Sequence, residues 1–288
     1  MNIGSTANSA RRRRLDIGFR ILCYGAAGIG VFILALLLIR IFADGLPRVN
    51  WKFIVSDLSS RPKRTGIWPA ISGSLSVMFL TALIACPVGV AAAVYLEEFN
   101  SHKTRFTNFI QLNIANLAGV PSIVYGLLGL ALFVRACNLG YSVIAGALTM
   151  SLLILPMIII VTQEALRAVP NVLREASMGL GSTQWQAIRY QVLPNALPGI
   201  FTGVILAVGR ALGETAPLIV VGAVAGVVGS PKNMMDQYTV LPMRIFTWST
   251  DARAEAHQVA AAGIVVLMVV LLALNSVAIF LRNRAANR

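Results

Sequence analysis

The sequence has few charged residues and few residues that bind metals. Charged residues make up only 12% of the 288 positions, whereas an ordinary soluble domain carries about 25%. The three cysteines, Cys23, Cys86 and Cys137, are widely spaced, and the two histidines, His102 and His257, are far apart. This scarcity and spacing give no support for a disulfide framework or a metal site.

Signatures of catalysis are also missing from the sequence. No Gly-x4-Gly-Lys-Ser/Thr string is present, so the chain is not predicted to hold a nucleoside triphosphate by a P-loop. No set of nucleophile, base and acid stands out either. The sequence therefore predicts a non-catalytic permeation component that binds no cofactor itself.

What the sequence has instead is long apolar runs, since 57% of its residues are hydrophobic. A helix that crosses a bilayer needs about 20 apolar residues. Six such runs predict an all-α integral membrane protein with spans at 21–43, 71–96, 109–134, 141–163, 199–228 and 257–281. The net charge of +13 would suggest nucleic acid for a soluble protein, but here most cations lie at span ends and in loops, where they orient helices. Membrane lipid, and not nucleic acid, is the expected partner.

An even number of spans places both termini on one side of the membrane. The run Arg11–Arg14 precedes the first span, and basic residues beside the first helix favour the cytoplasmic side. We therefore expect a basic cytoplasmic tail over residues 1–20, disordered in its first 14 residues. The first span and an external loop follow over residues 21–70, and residues 71–288 are predicted to form the core domain.

The polar interval 164–197, between the fourth and fifth spans, predicts two short helices. Asn171 and Ser182 are expected to cap them, because side-chain oxygens accept hydrogen bonds from first-turn N–H groups. Gly179 and Gly181 are expected to end the first helix, because glycine tolerates the left-handed conformation needed there. The second helix is expected to end at two prolines, Pro194 and Pro198. Such a unit is either an ordinary loop between spans or a shape that docks into a partner.

The stretch VGRALGETAPLIVVGA, residues 208–223, places charges inside an apolar run. In a continuous helix, Arg210, Gly213, Glu214 and Pro217 would share one side of the helix. An uncompensated charge near the bilayer centre costs roughly 2.5–3.5 kcal/mol, so such residues usually face a cavity or each other. Pro217 has no N–H and would leave the Gly213 carbonyl without its helical donor.

Two interpretations of this stretch stay open. In the first, Arg210 and Glu214 form a salt bridge that only holds the helix bundle together. In the second, Arg210 is the cation of a gated anion site, and a substrate competes with Glu214 for it. A guanidinium suits a tetrahedral oxyanion because it offers paired N–H donors.

The polar interval also resembles a known motif. Five residues match the EAA loop of ABC importer permeases: Glu175, Ala176, Gly181, Leu193 and Pro194. In that family the loop forms the coupling helix that lies in a groove of the ATPase subunit, so the resemblance implies this role for the five residues. The chain departs from the motif at Ser177, where the family has alanine, and at Gln191, where it prefers a branched aliphatic residue.

The string Arg-Ala-Leu-Gly-Glu-Thr-Ala-Pro, which begins at Arg210, is similar to the fifth span of the permease subunits of phosphate ABC importers. This resemblance implies the six-span fold of type I ABC importer permeases. It implies a phosphate path at Arg210, Glu214 and Thr215, with a helix break at Gly213 and Pro217. It also implies a second, PstC-like permease subunit, a dimer of ATPase subunits that hold ATP and Mg²⁺, and an external phosphate-binding protein.

The expectation is thus a multi-pass permease subunit of the bacterial inner membrane that imports inorganic phosphate. Two alternatives are a permease for another oxyanion, such as molybdate or sulfate, and a secondary transporter that needs no ATPase. Glu97, Glu98 and Glu164 lie at inner span boundaries and are predicted to be solvated helix ends. Two alternatives stay open for the long outer segment 229–256: an external gate or a re-entrant element.

Overall fold

The computed structural model describes residues 5–59, 61–99, 104–223 and 229–286, and its regular structure within these ranges is entirely helical. The α-helices of the described chain are, in order, α1 (Ser5–Gly45), α2 (Trp51–Val55), α3 (Trp68–Val94), α4 (Arg105–Ala118), α5 (Ser122–Gly129), α6 (Val143–Arg167), α7 (Asn171–Gly179), α8 (Gln184–Ala187), α9 (Leu193–Gly213), α10 (Ala216–Val220), α11 (Leu241–Ser249) and α12 (Ala254–Ala286). Three π-helical turns extend them: Tyr95–Phe99, Leu130–Ala136 and Ile188–Val192.

The membrane-spanning elements confirm the predicted all-α integral membrane fold. Five helical runs are long and apolar enough to cross a bilayer: 15–48, 68–99, 143–167, 184–213 and 254–284. A sixth span is complete only if α4 and α5 are counted together, and these two helices meet at an angle of 102°. The third predicted span is therefore sharply bent rather than straight.

The N-terminal helix differs from the prediction. Residues 5–14 were expected to be disordered, but α1 is already helical at Ser5 and runs without a break to Gly45. No proline interrupts this segment, so nothing in it prevents the span from extending into the basic tail. Residues 1–4 of the predicted tail lie outside the described residues. The apolar part of α1 is wholly exposed, and its C-terminal end packs on α12, where Gly45 lies against the backbone of Ala261.

The centre of the bundle consists of α3, α6 and α9. Gly89 of α3 lets Ile158 of α6 approach closely, because a Cβ there would lie 2.6 Å from the isoleucine side chain. Hydroxyl groups also join these two helices: Thr81 donates to the Ala147 carbonyl at 3.3 Å, and Ser151 donates to the Thr81 carbonyl at 3.4 Å. Small residues and hydroxyl contacts of this kind are the usual means by which membrane helices associate.

The third span breaks at residues 119–121, between α4 and α5. A residue before a proline avoids the α conformation, which favours a helix end ahead of Pro121. The hydroxyl of Tyr125 donates to the Leu117 carbonyl at 2.8 Å and so satisfies one acceptor at the end of α4. The bend is therefore held by a hydrogen bond across it.

The fifth span ends at Gly213, whereas the sequence predicted a helix to residue 228. Glu214 is extended (φ −75°, ψ 128°), and Pro217 lies in the first turn of the separate helix α10, where its missing N–H costs no helical hydrogen bond. The predicted loss of a donor to the Gly213 carbonyl within a continuous helix is therefore wrong, since the helix has already ended. Residues 224–228 of the predicted span lie outside the described residues.

The segment 229–256, which is predicted to be external, includes α11, and this helix packs against α12 and α3. Its irregular first part covers the start of α6, because the N–H groups of Val143 and Ile144 donate to the carbonyls of Asp236 and Met234. Hydrogen bonds from the backbone N–H groups of Asn233 and Lys232 lower the pKa of the Asp236 carboxyl. This segment thus supplies hydrogen-bond acceptors to backbone N–H groups in the first turn of α6, which have no acceptor within the helix.

The two broken spans pack against each other through α5 and α10. A Cβ on Gly126 would lie 2.7 Å from Cα of Pro217, so glycine is required for this approach of one backbone to another. The breaks in the third and fifth spans are therefore joined in a single contact.

We expect Gly126→Ala to destabilise the protein by about 1–3 kcal/mol, because the added methyl group must push α5 away from α10. The free energy of unfolding in detergent micelles measures the effect. Gly28→Ala is the matched control, since nothing lies within 4 Å of a Cβ at Gly28 in the exposed helix α1. Equal stabilities of the two variants would contradict the close packing.

Candidate functional site

A cavity of about 450 Å³ lies where the two breaks meet α6. The α4–α5 break contributes Gly119, Pro121 and Ser122, and the end of the fifth span contributes Arg210 and Glu214. Both breaks leave backbone groups outside helical hydrogen bonding, which a membrane protein tolerates where protein or water lines the space. The cavity therefore combines irregular backbone with charged side chains.

The charged pair of this cavity is loosely held. Arg210 Nε lies 3.9 Å from Glu214 Oε1, which is an ion pair but too long for a hydrogen bond. The Arg210 side chain is 67% exposed and that of Glu214 is 23% exposed. Because Glu214 follows the end of α9, it is not fixed to the next turn of the same helix as Arg210. The guanidinium keeps donors that are available to another group.

A second carboxylate lines the same cavity, and the sequence did not predict its place in this site. Glu164 on α6 is exposed to this space together with Arg210, so it is not simply a solvated helix end. Tyr125, whose hydroxyl holds the bend between α4 and α5, also lines the cavity. These residues are far from Arg210 in sequence, and no pattern in the sequence pairs them with it.

The remaining predicted residues of this stretch surround the site without lining it. Pro217 is buried against Gly126 behind the cavity, and Gly213 ends α9 with open space beside it. Thr215 precedes α10, and its carbonyl accepts a hydrogen bond from the N–H of Ile219. The structure therefore brings Arg210 and Glu214 to the cavity wall, while Pro217 serves packing.

The predicted coupling loop has the expected two helices but different caps. Pro170, not Asn171, precedes α7, and Asn171 is its first helical residue. Thr183, not Ser182, caps α8 and forms a reciprocal capping box with Gln186. The Ser182 hydroxyl instead hydrogen-bonds to Ser177, which leaves the next residue to cap the helix.

The predicted end of the second helix at Pro194 and Pro198 is also wrong, because the helix runs from Gln184 to Gly213. The π-helical turn Ile188–Val192 comes directly before Pro194 and changes the hydrogen-bond register there. Asn195 also donates its side-chain amide to the Gln191 carbonyl at 2.6 Å. Gly181 is left-handed (φ +89°), as predicted.

The predicted coupling loop is held to the π-helical turn after α3 by a buried ion pair. Arg174 of α7 donates to both carboxylate oxygens of Glu98, at 2.6 Å through Nη2 and 3.0 Å through Nε. The same guanidinium donates to the carbonyls of Leu166 and Val169. Gln184 donates to the Glu98 carbonyl at 2.6 Å. Glu98 is buried, so the prediction of a solvated helix end is wrong; the two partners are 76 residues apart, which hides the pair from sequence patterns.

The outer side of the coupling loop carries the matched motif residues. Glu175, Ala176 and Gly181 are exposed, and Leu180 between them is 90% exposed. Leu193 is half-buried and packs inward on the cluster around Ile188, Val192 and Ile200. The loop therefore presents a partly apolar surface while the Arg174–Glu98 pair fixes its inner side.

The known proteins to which this chain is similar in sequence include transport permeases. The family described as binding-protein-dependent transport system inner membrane component matches residues 85–287. The probable ABC transporter permease YqgI of Bacillus subtilis is 36% identical over 202 residues, which cover 69% of this chain and 68% of that protein. The phosphate transport system permease PstA of Haemophilus influenzae is 32% identical over 259 residues, which cover 88% of this chain and 89% of that protein.

Solved structures resemble the chain in fold. A chain of a bacterial ABC transporter involved in the import of the polysaccharide alginate has a TM-score of 0.67, with 15% identity, over 96% of this chain and 99% of that one. A chain of the MetNI methionine ABC transporter has a TM-score of 0.61, with 17% identity, over 76% and 97%. The chain therefore has the fold of type I ABC importer permeases.

We expect Glu98→Gln to destabilise the protein by about 3–5 kcal/mol, because it leaves the buried Arg174 guanidinium without its counter-charge. Glu97→Gln is the matched control, since Glu97 pairs with the more exposed Arg167 and such pairs contribute about 0–1 kcal/mol. Unfolding in detergent, together with limited proteolysis of the loop 171–183, measures both effects. Equal losses in the two variants would contradict the stabilising role of the buried ion pair.

Proposed function

The chain belongs to the binding-protein-dependent transport system inner membrane components, a family of ABC transporter permeases, and we propose that it conducts inorganic phosphate in an ATP-driven importer. The arrangement of Arg210 in a cavity between two broken spans supports this proposal most directly. The likeness to phosphate transport permeases of Haemophilus influenzae and other bacteria supports phosphate as the anion. The family membership argues against a secondary transporter without an ATPase.

In this proposal the chain is a non-catalytic subunit of the bacterial inner membrane with both termini in the cytoplasm. It forms the path with a second, PstC-like permease subunit and receives phosphate from an external binding protein. A dimer of ATPase subunits holds ATP and Mg²⁺ and performs the hydrolysis. This chain supplies the path and the coupling.

Arg210 is proposed to bind the phosphate oxygens in exchange for Glu214. An exposed ion pair is worth only about 0–1 kcal/mol, and the 3.9 Å separation lacks a hydrogen bond. A phosphate that accepts two N–H groups of the guanidinium makes stronger, charge-assisted contacts. Exchange of partners at Arg210 is therefore favourable without a large barrier.

The two carboxylates, Glu164 and Glu214, are proposed to keep this binding brief. They line the same cavity as Arg210 and repel an anion that stays beside it. Conduction needs a site that binds well enough to admit the ion and weakly enough to release it. One guanidinium between two carboxylates meets both requirements.

The helix from Gln184 to Gly213 is proposed to link ATP hydrolysis to the cavity. It contains 30 residues and therefore extends about 45 Å, from the coupling loop to Arg210. The Arg174–Glu98 pair ties the same loop to α3. A displacement of α7 by the ATPase would thus tilt α3 and α9 together and change the access to Arg210, which is the basis of alternating access.

We expect Arg210→Gln to abolish phosphate uptake into proteoliposomes while the complex with the ATPase subunits still assembles. Arg210→Lys should retain part of the uptake, because it keeps the charge but loses the paired donors. Arg282→Gln, which removes a cation from α12 outside this cavity, serves as the control. Normal uptake by Arg210→Gln would remove Arg210 from the path. Inhibition of wild-type uptake by molybdate or sulfate at phosphate-like concentrations would instead identify another oxyanion as the substrate.

We expect Gly181→Ala to uncouple ATP hydrolysis from uptake or to weaken ATPase binding. A side chain in the left-handed conformation costs roughly 1–2 kcal/mol, so the turn between α7 and α8 would shift. Gly179→Ala is the control, because Gly179 is helical and has open space around it. Co-purification of the ATPase and the ratio of phosphate transported to ATP hydrolysed measure coupling. Unchanged values in Gly181→Ala would contradict a docking role for this turn.

A further inference from the structure

The loop between α1 and α3 is folded into a defined structure at one membrane surface. Phe53 of α2 is buried at its centre, and the N–H of Ile67 donates to the Phe53 carbonyl at 2.9 Å. The N–H of Gly66 donates to the Asp57 carbonyl at 2.8 Å, and a Cβ on Gly66 would collide with the Ser56 carbonyl. The positions of the side chains on this loop are therefore fixed by its backbone.

A basic cavity of about 400 Å³ lies in this loop, and its charged lining residues are Arg48, Lys52, Lys63 and Arg64. Among the described residues no carboxylate lines it. Arg48 donates to the Pro62 carbonyl at 2.7 Å, and Lys63 pairs with Glu255 of α12 at 2.8 Å. Lys52 and Arg64 form no ion pair within the described chain, so their charges face the cavity uncompensated.

The surroundings of the basic cavity are those of a bilayer surface. It lies beside the end of α1 and the start of α12, where two spans leave the membrane. Trp51 is 78% exposed, and Leu46 and Val55, five residues before it and four after it in the same loop, are also exposed. Tryptophan beside cations is typical of the headgroup level of a membrane.

The basic cavity is separate from the Arg210 cavity. Its loop packs on α1, α3 and α12, whereas the Arg210 cavity is formed by α4, α5, α6 and α9. Its cations also lie on the side predicted to be external, where basic residues are usually depleted. A ligand other than the permeating ion is needed to explain them.

We propose that the basic cavity binds the phosphate headgroup of an anionic phospholipid, such as phosphatidylglycerol, in the leaflet that this loop faces. Lys52 and Arg64 contact the phosphate oxygens, and the guanidinium can donate two hydrogen bonds. Leu46, Trp51 and Val55 lie beside the glycerol and acyl chains. Free inorganic phosphate would use the cations alone and would leave the exposed apolar residues of the same loop unexplained.

The test is a lipid titration of the purified full-length chain, in complex with its ATPase, followed by native mass spectrometry. We expect the wild type to retain phosphatidylglycerol in preference to phosphatidylcholine. Each basic residue near an anionic surface contributes about fivefold in affinity, so Lys52→Gln/Arg64→Gln should lower this preference by about 25-fold. Lys52→Arg/Arg64→Lys, which keeps both charges, should retain it.

The matched control is Arg61→Gln/Lys232→Gln, which removes two exposed cations that do not line the basic cavity. Equal lipid preference in the wild type, the control and Lys52→Gln/Arg64→Gln would overturn the proposal. Displacement of phosphatidylglycerol by millimolar inorganic phosphate, lost in Lys52→Gln/Arg64→Gln, would overturn it in favour of a free-phosphate site. Reduced capture of the external binding protein with unchanged lipid preference would overturn it in favour of a protein-docking surface.

Discussion

Every polar backbone group inside a bilayer needs a partner within the protein or in trapped water, and this constraint shapes the centre of the molecule. The third span bends at residues 119–121, and the fifth span ends at Gly213, ahead of the extended Glu214. The two sites are brought together by the contact of Gly126 with Pro217, and the Tyr125 hydroxyl donates to the Leu117 carbonyl across the bend between α4 and α5. The remaining groups border a single cavity. Without that packing, two separate irregular segments would face lipid, and Arg210 would have no interior space to face.

The prolines of this chain show why such breaks are hard to locate from sequence. Pro194 and Pro198 lie within a continuous helix, while Pro121 and Pro217 lie at the starts of new helices. The residue type is the same in all four cases, so the neighbouring residues decide whether the helix continues through the proline or ends before it. A π-helical turn at Ile188–Val192 comes just ahead of Pro194 in the helix that continues. Gly119 and Gly213, which have a low helix propensity, precede the breaks.

Much of the fold and half of the site could be predicted from short-range patterns. The apolar runs predicted the spans, and the four-residue spacing of Arg210 and Glu214 predicted that the two side chains lie close together. Glu164 in the same cavity and Glu98 at Arg174 could not be predicted, because each contact joins helices that only the folded bundle brings together. The caps of α7 and α8 were each misplaced by one residue: α7 begins after Pro170 without a side-chain cap, and at α8 the neighbouring Thr183 takes the role expected of Ser182.

The two arginine–glutamate pairs show how burial distinguishes an ion pair that stabilises the fold from one that can exchange its partner. Arg174 and Glu98 are 17% and 7% exposed and share short hydrogen bonds, so removing one partner leaves a buried charge without compensation. Arg210 and Glu214 are 67% and 23% exposed and share none. The first pair resists rearrangement and ties α7 to the turn after α3. The second yields its partner at little energetic cost, as the proposed anion site requires.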